Sequence, residues 1–276
     1  MGGVEVSAIG LGAMPMSLEG RPDRAQSIET IRTAVDKGVT LIDTADAYSA
    51  DDSDFGHNEE LIAEALKGVD GVMVATKGGH TRTSGGGWDV NGRPEYLKSA
   101  CDASLRRLGV DAIDLYQFHR PDPAVPVAES VGALAELLDA GKIKLAGVSN
   151  FDPAQIRQAN EILGGRLASV QNQFSPAFRS SEPELELCAE LDIAFLPWSP
   201  LGGISAAGEL GARFTAFAEV GRAHGVSPQQ VCLAWMLAKA PQVVPIPGSS
   251  RPASISDSAD AVHLELSEEE LRRLDG

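Results

Sequence analysis

Short apolar runs alternate with amphipathic segments along the whole chain. The runs are SAIGLGAM (7–14), TLIDTA (40–45), GVMVATK (71–77), AIDLYQFH (112–119), KLAGVS (144–149), ASVQNQ (168–173), IAFLPWS (193–199) and VVPIPGS (243–249). Each is short and rich in Val, Ile and Leu, the composition of parallel strands buried on both faces. The segments between them have a helical period. Residues 25–37 place Ile28, Ile31 and Val35 on one stripe, and Gly38 stops that helix. A second helix is expected over 58–67, with Asn58 as its N-cap. Helices over 94–108 and 126–140 open on Pro94 and Pro126, where a missing N–H costs nothing. Asp152 and Pro153 open 153–163, and 182–191 forms another. Two helices follow the seventh run, 211–224 and 228–240, the latter capped by Ser227. Residues 250–261 complete the series.

Strand–helix alternation repeated eight times predicts a (β/α)8 barrel of the TIM type. A doubly wound sheet would carry a glycine fingerprint at its first strand–helix turn, and GLGAMP (10–15) does not have that pattern. The length of 276 residues suits one such barrel, so residues 1–276 are expected to form a single domain. VEV (4–6) is expected to add a short N-terminal hairpin closing the barrel floor. The glycine-rich HTRTSGGGWDVNG (80–92) reads as a long mobile connection, a candidate lid.

Composition narrows the classes of function. The formal net charge is −16, which argues against nucleic acid or an anionic membrane as partner, since both need clustered positive charge. An anionic ligand would need a local basic pocket against that field. The three cysteines are far apart, which suits a reduced cytoplasmic protein rather than a disulfide framework, and no Cys/His spacing suggests a metal site. No leader or membrane-spanning run is expected from MGGVEVSAIG or the rest of the chain.

In a barrel of this kind the chemistry sits at the C-terminal strand ends. The second run ends at Asp43, with Tyr48 just beyond; the third ends at Lys77 and the fourth at His119. A lone strand-end aspartate is ordinarily a cap, and a lone lysine a solvated charge. All four on three successive strand ends form a set that packing does not require. The motifs LIDTADAY, VATKGG, LYQFH, GVSNF, SVQNQFS, WSPLG and IPGSS, in that order, resemble the aldo-keto reductase superfamily over nearly the whole chain.

That resemblance implies NADPH-dependent reduction of an aldehyde or ketone, with NADH an alternative cofactor. Tyr48 would donate the proton, and an ammonium at Lys77 would lower its pKa. Asp43 would hold Lys77, and His119 would orient the substrate oxygen. Asn150 and Gln171 match the residues that hold the nicotinamide amide, beside Ser149, and Trp198 matches the stacking aromatic. Ser199, Pro200, Leu201 and Gly202 would meet the pyrophosphate. Gly248, Ser249, Ser250 and Arg251 would meet the adenosine ribose or its 2′-phosphate. The last segment departs from the family pattern: Ser254, Asp257 and Ser258 stand where relatives carry a basic residue and a Glu-Asn pair. The expected partner is a small carbonyl compound, in an open pocket walled by Met14, Met16, Phe55, Trp88, Arg120 and Phe174; the protein would be a monomer or small homo-oligomer. Two other readings compete. One is a nucleotide-binding regulatory protein on the same fold with slow turnover. The other is a barrel lyase in which Lys77 forms a Schiff base.

Overall fold

The computed structural model describes residues 1–276. Seven parallel strands lie side by side in chain order: β1 (Leu11–Gly12), β2 (Leu41–Asp43), β3 (Met73–Gly78), β6 (Ile113–Phe118), β7 (Ile143–Ser149), β8 (Leu167–Gln171) and β9 (Ala194–Phe195). Between β3 and β6 a separate antiparallel pair is inserted, β4 (His80–Arg82) with β5 (Trp88–Val90). The helices are α1 (Arg24–Asp36), α2 (His57–Ala65), α3 (Pro94–Leu108), α4 (Val127–Asp139), α5 (Pro153–Ile162), α6 (Glu182–Leu191), α7 (Leu210–Arg213), α8 (Thr215–His224), α9 (Pro228–Leu237), α10 (Pro252–Ala259) and α11 (Glu268–Asp275).

The eighth run closes the barrel without forming a regular strand. Val244 and Ile246 donate their N–H groups to Phe195 O (2.9 Å) and Pro197 O (3.2 Å), and the carbonyls of Pro245 and Pro247 accept from Gly10 (2.9 Å) and Gly12 (3.0 Å). In a parallel ladder alternate residues face alternate neighbours. Two of the three residues that face the first strand are prolines, with no N–H to give, so on that side only Ser249 donates, to Gly12 O (3.3 Å). Gly12 makes the close approach possible, because a Cβ there would lie 2.8 Å from Ile246 O.

Alternation along β3 shows how the sheet sorts its side chains. Met73 and Ala75 join Leu41, Leu115, Ala168, Leu196, Val244 and Ile246 in filling the lumen. Val74 turns outward against the α1–α2 layer, and Thr76 Oγ donates to Glu59 on α2 (2.5 Å). The largest apolar cluster lies between β6–β9 and the surrounding helices, with Trp235 stacked on Phe174 (centroids 5.6 Å apart, planes 8° apart).

Three expectations change. The N-terminal segment forms no hairpin: residues 1–10 contain no strand, and Met1 and Val6 pack as irregular chain against the floor of the lumen. The connection 80–92 is not structureless, because His80, Thr81 and Arg82 pair with Val90, Asp89 and Trp88 around a glycine turn. Asn58 is not a cap. Gly56 takes that position at φ 92°, where a Cβ would also meet the Arg107 side chain at 2.3 Å. Asn58 is instead fully buried, accepting from Thr44 Oγ (2.6 Å) and donating to Ala13 O (2.9 Å) and Ser17 Oγ (2.7 Å), so it ties together the chain after β1 and β2.

Candidate active site

The inward register of β2, β3 and β8 brings three polar side chains to the top of the lumen. Lys77 is wholly buried and spends all three of its protons: Nζ donates to Asp43 Oδ1 (2.7 Å), Thr44 O (2.8 Å) and Tyr48 Oη (2.9 Å). Asp43 accepts on its other oxygen from Gln171 Nε2 (2.7 Å). Burial pushes the ammonium of Lys77 down, but the Asp43 carboxylate and Tyr48 outweigh it and hold it above its ordinary value. Burial also lifts Asp43, against the pull of Lys77 and Gln171. Tyr48 differs from expectation. Lys77 pulls its pKa down as anticipated, but burial is the larger effect and raises it above the ordinary phenol value. The phenol therefore stays protonated.

His119 follows β6, its ring 5.6 Å from that of Tyr48 and edge-on. Burial, and then the charge of Lys77, push its pKa well below the ordinary value, so the imidazole is neutral. Its Nδ1 is buried with no partner. A neutral imidazole donates through one ring nitrogen and accepts through the other.

Asn150 and Ser199 are two of only three non-glycine residues at positive φ (62° and 50°). Such strain collects where surrounding structure fixes a functional geometry. Asn150 Nδ2 donates to His119 O (3.0 Å) and Ser149 Oγ (2.9 Å), and its Oδ1 accepts from Trp198 Nε1 (3.2 Å). The ends of β7 and β9 are thereby linked through side chains.

A cleft of about 1040 Å³ runs over these groups. It begins at Tyr48 and His119, passes Ser149, Asn150, Gln171 and Trp198, and continues along Ser199, Pro200 and Leu201 to Gly248, Ser249, Ser250 and Arg251. Gly202 lies just off the lining, where Gly203 and Ile204 take its place. Asp257 lines the far end, but its oxygens already accept from Ser227 Oγ (2.6 Å) and Gln230 Nε2 (2.8 Å).

Of the suggested pocket walls, Met14, Trp88 and Arg120 line the cleft. Met16 and Phe174 are fully buried in apolar clusters, and Phe55 is outside the lining. His80 is a wall that the sequence reading passed over. A histidine two residues past a barrel strand was the available signal, hidden by the glycine-rich tract around it.

Comparison with known proteins bears on what such a cleft belongs to. The aldo/keto reductase family matches residues 8–276. The chain belongs to the aldo/keto reductase family. Among curated relatives, an uncharacterized oxidoreductase of Schizosaccharomyces pombe is 34% identical over 100% of this chain and 88% of its own length. A 6-dehydroglucose reductase of Novosphingobium aromaticivorans is 35% identical over 95% of this chain and 88% of its own. The crystal structure of an aldo/keto reductase from Klebsiella pneumoniae in complex with NADP and acetate superposes with a TM-score of 0.81 at 29% identity, covering 98% of this chain and 90% of that one. Membership of this family fits the closed ring of parallel strands and helices, a (β/α)8 barrel. No helix in it is long and apolar enough to cross a membrane.

Proposed function

We propose that this aldo/keto reductase uses NADPH to reduce a small aldehyde or ketone to the alcohol, with Tyr48 as proton donor. The observation that carries the reading is the buried chain Asp43–Lys77–Tyr48, which ends with a protonated phenol on the floor of a long cleft. A carbonyl that accepts hydride develops negative charge on oxygen and needs a proton and a hydrogen bond at that atom. Tyr48 Oη supplies the proton, and His119 Nε2–H supplies the hydrogen bond. Lys77 stabilises the phenolate left behind, and Asp43 fixes Lys77 in place. NADPH, when bound, supplies the hydride.

The residues along the cleft fit that cofactor. Gln171 Nε2 is held by Asp43, which leaves its Oε1 to accept from the nicotinamide amide, beside Asn150 and Ser149. The indole of Trp198, oriented by Asn150, offers a face for stacking. Gly203, at φ 101° with open space where a Cβ would be, lets backbone approach the pyrophosphate beside Ser199, Pro200 and Leu201. Ser249, Ser250 and Arg251 border the adenosine end, where an arginine suits the 2′-phosphate of NADPH. Asp257 acts here by anchoring α10 to α9.

The Schiff-base alternative needs a neutral, accessible amine. Lys77 is buried, triply hydrogen-bonded and held cationic, which speaks for the reductase. The regulatory alternative does not call for a protonated donor at the cleft floor. The test is NADPH oxidation by purified protein across small aldehydes, with Tyr48→Phe alongside. Turnover is expected to fall by about 10²–10⁴ in the variant while NADPH binding is kept. Unchanged turnover would remove Tyr48 from the role, and nucleotide binding without turnover on any carbonyl would favour the regulatory protein.

A further inference from the structure

Arg120 directly follows His119 and lines the same end of the cleft. It takes part in none of the ion pairs of the protein, although the chain carries a surplus of carboxylates. The nearest carboxylate in sequence, Asp122, is committed elsewhere: it accepts from Gly92 N (2.8 Å) and Ala124 N (2.8 Å). Arg120 is nevertheless held in place. Its Nε donates to His80 Nε2 (3.3 Å), and His80 Nδ1 faces Asp89 O (3.1 Å), a carbonyl that can only accept. That contact fixes the tautomer: His80 donates through Nδ1 and accepts through Nε2. Burial of His80 pushes its pKa down to about 4, so it remains an acceptor near neutrality.

The three rings make a short series away from the proposed proton donor. Tyr48 lies 5.6 Å from His119, and His119 lies 4.3 Å from His80, which contacts Arg120. With Nε turned toward His80, the two terminal nitrogens of the guanidinium are free to grip an oxyanion side by side. Trp88, its ring 5.4 Å from that of His80, is 45% exposed and lines the cleft with Arg82 stacked on it (3.9 Å).

We propose that Arg120, oriented by His80, is an anion subsite, and that the substrates of this protein are short carbonyl compounds bearing a carboxylate or phosphate a few bonds from the carbonyl. This rests on the reductase reading and adds to it a substrate class. The strong net negative charge repels such molecules elsewhere on the surface, so a built cation beside the reacting centre selects for them.

The test compares matched substrate pairs at saturating NADPH: succinic semialdehyde against butanal, and glyceraldehyde 3-phosphate against glyceraldehyde. The expected result is a kcat/KM ratio of about 10–100 in favour of at least one anionic member, the scale of a charge-assisted hydrogen bond. The pair that shows it distinguishes carboxylate from phosphate. Arg120→Gln is expected to collapse the ratio toward unity, Arg120→Lys to restore part of it, and His80→Phe to weaken it through KM. Neutral aldehydes reduced with a ratio near unity in the wild type would overturn the subsite and leave the reductase reading standing. The second readout does not need turnover: calorimetric titration of the NADPH-loaded protein with succinate and with neutral succinamide. Succinate-selective binding that disappears in Arg120→Gln supports the subsite even if no carbonyl is reduced, an outcome that would sink the reductase reading alone. Equal or absent binding of both compounds, with no anionic preference in turnover, overturns the proposal.

Discussion

Asp46 stands two residues before Tyr48, wholly buried, and neither of its carboxyl oxygens has a hydrogen-bond partner. Burial, and then the negative charge of Glu59, raise its pKa well above the ordinary value, against the pull of Arg107. The folded protein therefore keeps this carboxyl protonated at a pH where the unfolded chain has released the proton. Below the unfolded pKa, near 3.9, both states are protonated and Asp46 has no effect on stability. As pH rises past that value only the unfolded state ionises, and stability falls until the folded pKa is passed. Asp46→Asn removes this ionisation. Its melting temperature is expected to exceed that of the wild type at pH 7, with the gap closing as pH falls toward about 4. Thermal unfolding across that range checks it; a constant gap, or none, would mean that Asp46 is held ionised by Arg107. Lys77 is the contrasting case. Its charge is matched by Asp43, so the same depth of burial is tolerated with the charge retained.

Elements were legible where a local signal sets their ends. Helices α3 and α6 occupy the residues that the pattern indicates, because Pro94 fixes one start and the apolar stripe fixes the other. Asp152 forms a full capping box with Gln155, as a cap followed by proline suggests. Signals that depend on tertiary contact were not legible. Nothing near Asn58 shows that Ala13 and Ser17, more than forty residues earlier, claim its side chain. The hairpin of β4 and β5 was read as loose because glycine dominates the tract, whereas Arg82 packs on Trp88 and donates to Ala50 O (2.5 Å) from across the site. The convergence of the strand-end residues was legible for the opposite reason: the barrel assigns every strand end to one rim, so residues distant in sequence meet without further information. The Phe174 reading failed because it lies past the strand end, where the chain has already turned into the helical layer. The cap of α9 links an element to the cleft. Ser227 Oγ accepts from Gln230 N (3.0 Å) and donates to Asp257 on α10. Ser227→Ala is expected to cost about 1 kcal/mol, or roughly 2–4 °C in melting temperature, and to weaken NADPH binding by releasing α10. Calorimetry with and without nucleotide checks both; a lost degree of stability with unaltered affinity would show that α10 needs no anchor.

At the scale of the whole molecule, a charge of −16 must coexist with an anionic cofactor. The long-range field repels NADPH, and a local contact such as the one proposed for Arg251 acts only over a few ångströms. Raising ionic strength from about 0.01 to 0.15 M shortens the screening length from about 30 to 8 Å, which weakens the field more than the contact. The KM for NADPH is therefore expected to fall over that range. A steady rise would place the electrostatics in the local contact instead.

The pair of prolines opposite the first strand has a consequence for how the barrel is assembled. A ring of strands has to be closed somewhere, and here it closes between residues near Gly12 and residues near Gly248, far apart along the chain. Closure is the most non-local event available to this polypeptide, and non-local joins form late. The cleft lies across this join, with Gly12, Gly248 and Ser249 among its walls and Trp198 on the neighbouring rim. An occupant of the cleft therefore acts as a rivet across the seam where the first and last strands of the ring meet.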